Sequence, residues 1–403
     1  MSPAPAPSAG ASNRLVFVLI IVSAVNPVAV NMFVPAMPDI MHALATDVAS
    51  VQMVLSAYLF ATAIAQLVIG PLSDRFGRRP LMIAGLLIFS LASVVCALAP
   101  TVGWLIGGRI LQGAGGCAGM VLSRAIVRDL YERDRAAAML GYVTMGFAIA
   151  PMLSPTLGGI LNDRLGWHSI FFAQAILGGV GLLAAIVIVP ETRKLLIHKN
   201  GKRPGYLASI RTLARIPAFW SFTLCLGCGV AVFFSFLSGT PVIAAELLGV
   251  SGTEFGLYFT LAPGGFLLGN FLTARFSQRL GIARMMIAGT SIAVVAVLAL
   301  GTAFALGLYH PLSLFIPMYF IGFANGLSFT NAFAGAVSLR PELAGSASGF
   351  AGSLQTIGGA TASVVIGALL SINHSVFVLF GCMLVFALGS FGAAVWSRSA
   401  RTS

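Results

Sequence analysis

Two stretches of this chain, residues 285–339 and 343–397, each run 55 residues without an Asp, Glu, Lys or Arg. As one straight helix rising about 1.5 Å per residue, either would be about 80 Å long, more than twice the roughly 30 Å hydrocarbon core of a bilayer. Each must therefore fold back once, with turns expected near Tyr309-His310-Pro311 and Asn373-His374. Outer-membrane strands alternate in polarity over short segments, whereas these runs are continuously apolar, so helices are expected. The whole chain agrees: 58% of residues are hydrophobic, 8% are charged and the mean hydropathy is +0.97. An ordinary soluble domain carries about a quarter charged residues.

The same criterion predicts an all-α membrane protein of twelve spans, near residues 15–38, 51–72, 80–100, 103–124, 136–161, 169–190, 217–241, 256–274, 285–307, 312–337, 346–371 and 376–397. The most polar stretch, Glu191 to Pro217, divides them into two sets of six. The expected organisation is a disordered cytoplasmic N-terminus (1–14), a six-helix bundle (15–190), a basic cytoplasmic linker (191–217), a second bundle (218–397) and a cytoplasmic tail (398–403). Within the linker, Tyr206 to Ile216 is amphipathic and suited to lie on a membrane surface. The first apolar segment is read as an uncleaved anchor.

Charge orients the spans. With a cytoplasmic N-terminus, 21 of the 23 Lys and Arg fall on the inner side, Arg164 outside and Arg109 at lipid depth. The positive-inside rule then places both termini in the cytoplasm. The net charge of +12 is explained by this topology and the anionic inner leaflet, with no nucleic-acid partner required.

Between spans two and three lies Gly70-Pro-Leu-Ser-Asp74-Arg75-Phe-Gly77-Arg78-Arg79, a tight charged turn. A fainter echo, Ala274-Arg275-Phe-Ser-Gln-Arg279-Leu-Gly281, follows span eight and suggests an internal repeat. Gly108-Arg109-Ile-Leu-Gln112-Gly113-Ala-Gly115 occupies span four, and Gly146-Phe-Ala-Ile-Ala150-Pro151-Met-Leu-Ser-Pro155-Thr-Leu-Gly158-Gly159 span five. Arg128-Asp129-Leu-Tyr131, Gly166-Trp167-His-Ser-Ile-Phe171 and Phe236-Leu-Ser-Gly-Thr-Pro241 complete the set. On these motifs the chain resembles the major facilitator superfamily, in particular its twelve-span drug exporters of the bicyclomycin and chloramphenicol resistance type. The resemblance implies that fold, with two pseudo-symmetric six-helix halves, and export of small amphipathic drugs or metabolites by alternating access across a bacterial inner membrane. It also implies a proton gradient as the energy source and no bound cofactor; a monomer suffices.

The candidate residues divide by location. Gly70, Asp74, Arg75, Gly77, Arg78 and Arg79 form either a positive-inside anchor or, as the resemblance implies, a latch between halves that closes the cytoplasmic side. Arg109 is too costly to bury unpaired, and two readings stand: bonding to carbonyls of span one, or contact with a ligand. Gln112 lies one turn along on the same face. Pro151 and Pro155, with Gly146, Gly158 and Gly159, are read as a hinge that also permits close helix approach. Asn331 and Gln355 face a cavity or bond between helices, and Tyr58 lines a cavity or packs in the core.

One expected residue is missing. Exporters of the branch that the chain resembles carry an Asp just before the span-one Met-Phe-x-Pro-Ala sequence, where this chain has Asn31. An amide takes up no proton at physiological pH. None of the eleven acids falls at mid-membrane, which leaves Asp39, at the outer end of span one, as a titrating candidate or a solvated helix-end charge. A pocket of Asn26, Asn31, Arg109, Gln112 and aromatics suits neutral or anionic amphipathic molecules. The alternative is therefore a dedicated exporter of such compounds with atypical or no proton coupling. No acid, histidine or metal constellation supports an enzyme, and the five Cys, all within spans, read as packing residues. A receptor or structural membrane protein is the non-transporter alternative.

Overall fold

A computed structural model describes residues 9–131, 133–192, 206–340, 343–372 and 375–399. Among them twelve helical spans alternate in direction. Span one is Ala9–Phe33, continued by a 3-10 turn Val34–Ala36 and a short helix Met37–Ala43. Spans two to six are Val48–Phe76, Arg78–Ala97, Val102–Leu130, Arg133–Leu165 and His168–Ile188. A linker helix, Tyr206–Ala214, precedes span seven, Pro217–Leu248. Span eight is broken into Gly252–Phe259 and Leu261–Leu280. Spans nine to twelve are Ile282–Ala305, Pro311–Ser338, Ala344–Ile372 and Val376–Ser399.

The irregular places have local causes. Pro35 and Pro38 withdraw two backbone donors at the end of span one, so the chain tightens and Met37 N–H bonds Val34 O, three residues back. Pro263 cannot donate to Phe259, and span eight breaks one residue later. Span two starts at an Asp47 cap that accepts from Ser50 N–H at 3.0 Å; the bonds from Ser50 hold the Asp47 carboxyl below its ordinary pKa. The linker helix ends where Trp220 Nε1 donates to Ala214 O at 2.8 Å, and it packs on spans seven and eleven.

Large side chains such as Leu91, Ile176, Leu183, Val187, Phe271, Val295 and Val385 point outward. Such a surface is suited to lipid, and among the described residues eleven helices are long and apolar enough to cross a membrane. Span five, with Asp163 and Arg164 near its end, is the least apolar of the long helices.

The packing repeats. Span one packs on spans four, five and six, span two on four, and span three on four and six. Adding six to every number gives the contacts of spans seven to twelve. The two halves meet along two seams that the same operation exchanges, span two with eleven and span five with eight. One sequence expectation needs correction here. The first helix begins at Ala9, inside the stretch 1–14 expected to be unstructured. The echo after span eight aligns through Gly281 on Gly77, which puts Arg279 opposite Arg75. Residues 1–8, 193–205 and 400–403, and with them about half of the linker and most of the tail, lie outside the described residues, as do Glu132, Glu342 and the turn at Asn373-His374.

Candidate functional site

Span four is built to be approached closely. A methyl group added at Gly113 would lie 2.5 Å from Tyr58 O in span two, and one at Gly115 would meet Gly85 O in span three at 2.5 Å. Helices this close bury whatever polar group sits between them, and here that group is Arg109, with no exposed surface.

Arg109 Nη1 donates to Ala29 O of span one at 3.2 Å and to Gln112 Oε1 at 2.7 Å. Gln112 Nε2 passes the chain on to Ser93 Oγ of span three and Gln174 Oε1 of span six, both at 2.7 Å. Gln174 Nε2 returns to Ala29 O at 3.4 Å, closing a ring of amides around the guanidinium. Two aromatic faces complete the enclosure, with the Arg109 carbon 4.2 Å from the Tyr58 ring centre and 4.9 Å from that of Phe33. Both ion pairs found among the described residues belong to Arg78, so Arg109 is held by amides, a carbonyl and π-faces. Its Nε and Nη2 have no hydrogen-bond partner there.

Other expected pocket residues scatter around this cluster. Asn26 joins it indirectly, since its carbonyl accepts from Tyr58 O–H at 3.2 Å and its amide reaches Thr62 Oγ1 at 3.5 Å. Tyr58, read as lining a cavity or packing in the core, is wholly buried between span one and Arg109. Asn31 turns back on its own helix, donating to Pro27 O at 2.8 Å, and does not bond Arg109. Asp39 is exposed on the short helix after span one and accepts from Asn162 of span five. In the other half, Asn331 bonds spans eight and ten together, accepting from Ser277 Oγ at 2.6 Å and donating to Thr273 Oγ1 at 3.4 Å. Gln355 is half-buried on span eleven.

The charged turn is bolted within its own half. Arg78 pairs with Asp74 at 2.7 Å and with Asp129, at the end of span four, at 3.2 Å, and also donates to Ser73 Oγ. Asp129 accepts in addition from Thr192 Oγ1 at 3.0 Å. Glu191, at the end of span six, caps span three by accepting from Arg78 N–H at 3.1 Å and Arg79 N–H at 3.2 Å. Arg79 Nη2 also donates to Ile186 O at 2.6 Å. Arg75 lies over the neighbouring Phe76 ring, 5.4 Å from its centre, and Gly70 has open space beside it. These contacts tie spans two, three, four and six at their basic ends.

Span five is one continuous helix through Pro151 and Pro155, with Gly146 inside it. Gly158 lies against the Met32 carbonyl of span one and Gly159 against the Gly252 carbonyl of span eight, so both serve close approach; the hinge expected there is not a break in the helix.

The halves are joined by hydrogen bonds that the sequence reading missed. Gln52 Nε2 donates to Ser238 O at 3.2 Å, Gln66 Nε2 to Thr356 Oγ1 at 3.2 Å, and Ser353 Oγ to Ala63 O at 2.9 Å. Asp163 Oδ2 accepts from Thr253 N–H at 2.9 Å and from Thr253 Oγ1 at 2.6 Å. A signal for the first two was present: Gln52 and Gln66 are amides inside an apolar span, fourteen residues apart and so on nearly one helix face. Ser93 and Gln174 carried the same signal of a polar side chain at lipid depth.

Comparison with known proteins agrees with this architecture. Residues 19–363 match the description of the Major Facilitator Superfamily. The chain is 30% identical over 345 residues to Multidrug resistance protein D of Escherichia coli, covering 86% of each chain. It is 32% identical over 329 residues to the Chloramphenicol resistance protein of Pseudomonas aeruginosa, covering 78% of this chain and 74% of the relative. Among solved structures, a D-xylose-proton symporter superposes with a TM-score of 0.76 at 16% identity, covering 96% of this chain and 97% of the other.

Proposed function

The chain belongs to the Major Facilitator Superfamily and is a multi-span membrane transporter, and from that premise we propose that it exports small amphipathic compounds, drugs or metabolites, from the cytoplasm. The observation that carries the reading is the pair of exchangeable seams between two copies of one helix arrangement. Two rigid bundles joined along such seams can rock about a site between them, exposing it to one side at a time. The names of relatives, multidrug and chloramphenicol resistance, support antibiotic-like cargo. The basic end of the molecule is taken as cytoplasmic, with both termini there and the protein in a bacterial inner membrane as a monomer. On that orientation Asp163, Thr253 and Gln52 lie at the outer end, where the halves are in contact.

A second reading is favoured by one specific observation. Arg109 is surrounded by amides and aromatics, and Asn31 of span one offers no titratable group. A buried cation without a carboxylate favours neutral or anionic cargo over cationic drugs, and a proton gradient, if it drives the cycle, acts through another group. The test is efflux from proteoliposomes loaded with neutral, cationic or anionic amphiphiles, comparing wild type with Asn31→Asp at several pH values. Wild type should move neutral or anionic compounds with a shallow pH dependence, and Asn31→Asp should steepen it. Steep pH-driven export of cations by wild type would return the chain to the ordinary cation-exporting reading.

A further inference from the structure

We infer that Asp163 is the latch of the outer gate, a side chain of the first half that holds the second half closed by capping span eight. The inference rests on the alternating-access reading above.

At its glycines the seam between spans five and eight brings backbone against backbone. A methyl group at Gly256 would lie 2.5 Å from Thr156 Cα and 2.6 Å from Pro155 O, and one at Gly159 would collide with Gly252 O. Backbones in such contact attract each other by dispersion, which has no preferred direction. The directional element is at the rim. Span eight begins with Ser251 as cap: its hydroxyl accepts from Glu254 N–H at 3.2 Å, while the Glu254 carboxylate accepts from Ser251 N–H at 3.0 Å. This box leaves the N–H of Thr253 among the first-turn donors that have no partner in their own helix. Asp163, from the other half, accepts it together with the Thr253 hydroxyl. A carboxylate at a helix N-terminus also meets the positive end of the helix dipole.

The latch is anchored on its own side. The residue before it, Asn162, donates to Asp39 on the helix that follows span one, so the end of span five is fastened to span one. Asp39 thereby serves as an anchor for the latch. Asp163 itself is exposed. Water can replace Thr253 as soon as the halves part, which makes the contact breakable within a transport cycle. Because its two hydrogen bonds exist only when the outer end is closed, they weight the equilibrium toward that state and toward no other.

The test is a gate reporter that needs no transport. Ser238→Cys, buried at the Gln52 seam, is placed in a background with the five native cysteines replaced, and reacted with a membrane-impermeant maleimide in whole cells and in inverted vesicles. Asp163→Ala should raise labelling from the outer face about fivefold or more, the shift that follows from losing a charge-assisted pair of bonds. Asp163→Asn, which keeps an acceptor and guards against a misfolded alanine variant, should raise it less. Thr253→Val should raise it too, and adding it to Asp163→Ala should give no further rise. Gly256→Ala, which wedges the backbones apart, calibrates the fully opened signal. Labelling of Asp163→Ala at the wild-type rate overturns the latch, whatever Gly256→Ala does. Absence of solute movement by wild type would overturn the transport reading, and a rise in labelling in the same preparation would leave the latch standing.

Discussion

The turns after span two and after span eight are the same piece of backbone put to different uses. Each ends a helix on a glycine in the positive-φ region, Gly77 at φ 106° and Gly281 at φ 82°, both with ψ 152°. Each glycine N–H returns to a serine four residues back, Ser73 O at 3.0 Å and Ser277 O at 2.9 Å, and each is followed at once by the next helix. Superposed on the glycines, Asp74 corresponds to Gln278 and Arg78 to Ile282. The first turn is then bolted by Arg78 to Asp74 and Asp129 and by Glu191 to two amides. Among the described residues the second has one side-chain tie, Ser277 to Asn331, and opens onto a cleft of about 420 Å³ lined by residues Gln278 to Arg284 and Arg398. Glycine is thus what the reversal requires, and acids that pair with Arg78 and cap span three are what the first half adds. By joining the basic ends of spans two, three, four and six, the added charges let that bundle move as one body.

The largest expected difference between the turns is at the glycines. An L-residue in this backbone region costs about 1–3 kcal/mol wherever it occurs. Gly281→Ala should lose about that much, since nothing lies near the added methyl. At Gly77 the methyl would also sit 2.5 Å from Glu191 Oε2, so Gly77→Ala should push Glu191 off span three and lose clearly more. Unfolding temperatures of the two variants in detergent make the comparison. Equal losses would mean that the Glu191 cap contributes nothing.

Next in size is the contrast between the two acids that hold Arg78. The Asp129 side chain is 8% exposed and that of Asp74 62%. Asp129→Asn leaves a mostly buried guanidinium short of its charge and weakens the bond from Thr192, a loss of about 2 kcal/mol. Asp74→Asn should cost less than about 1 kcal/mol, as exposed pairs do. Asp74→Asn therefore separates the roles proposed for the turn. A fall in transport at nearly unchanged stability would make Asp74 part of the working cycle, whereas unchanged transport would leave it an anchor.

This ranking also shows what could be read in advance. The spans and the charged turn were legible because an absence of charge over about 20 residues, or a cluster of it between two such runs, is a local property. The partners were not. Periodicity says that Gln112 shares a face with Arg109, but which helix that face meets depends on packing, and Ser93, Gln174 and the Ala29 carbonyl come from three other spans. For the same reason the sequence does not name the partners that Arg78 finds beyond its own turn: Asp129 and Glu191 lie 51 and 113 residues away from it. Gly158 and Gly159 are read as permitting both bending and close approach, since a glycine looks the same in sequence whether it bends or admits a neighbour. The carbonyls of Met32 and Gly252 decide for the neighbour.

The smallest effect comes from moving the charges. Gln278→Asp with Ile282→Arg places an acid and an arginine four residues apart in the second turn, at the spacing of Asp74 and Arg78. A pair of this kind at a helix surface contributes about 0.3–0.5 kcal/mol. In the first turn Arg78 gains most from Asp129, which is buried with it, and the transplant brings no second acid. The double variant should therefore unfold at nearly the wild-type temperature and transport at nearly the wild-type rate. A gain as large as the loss in Asp129→Asn would show that the i,i+4 pair alone is the bolt, and the two turns would then differ by two residues rather than by the helices those residues reach.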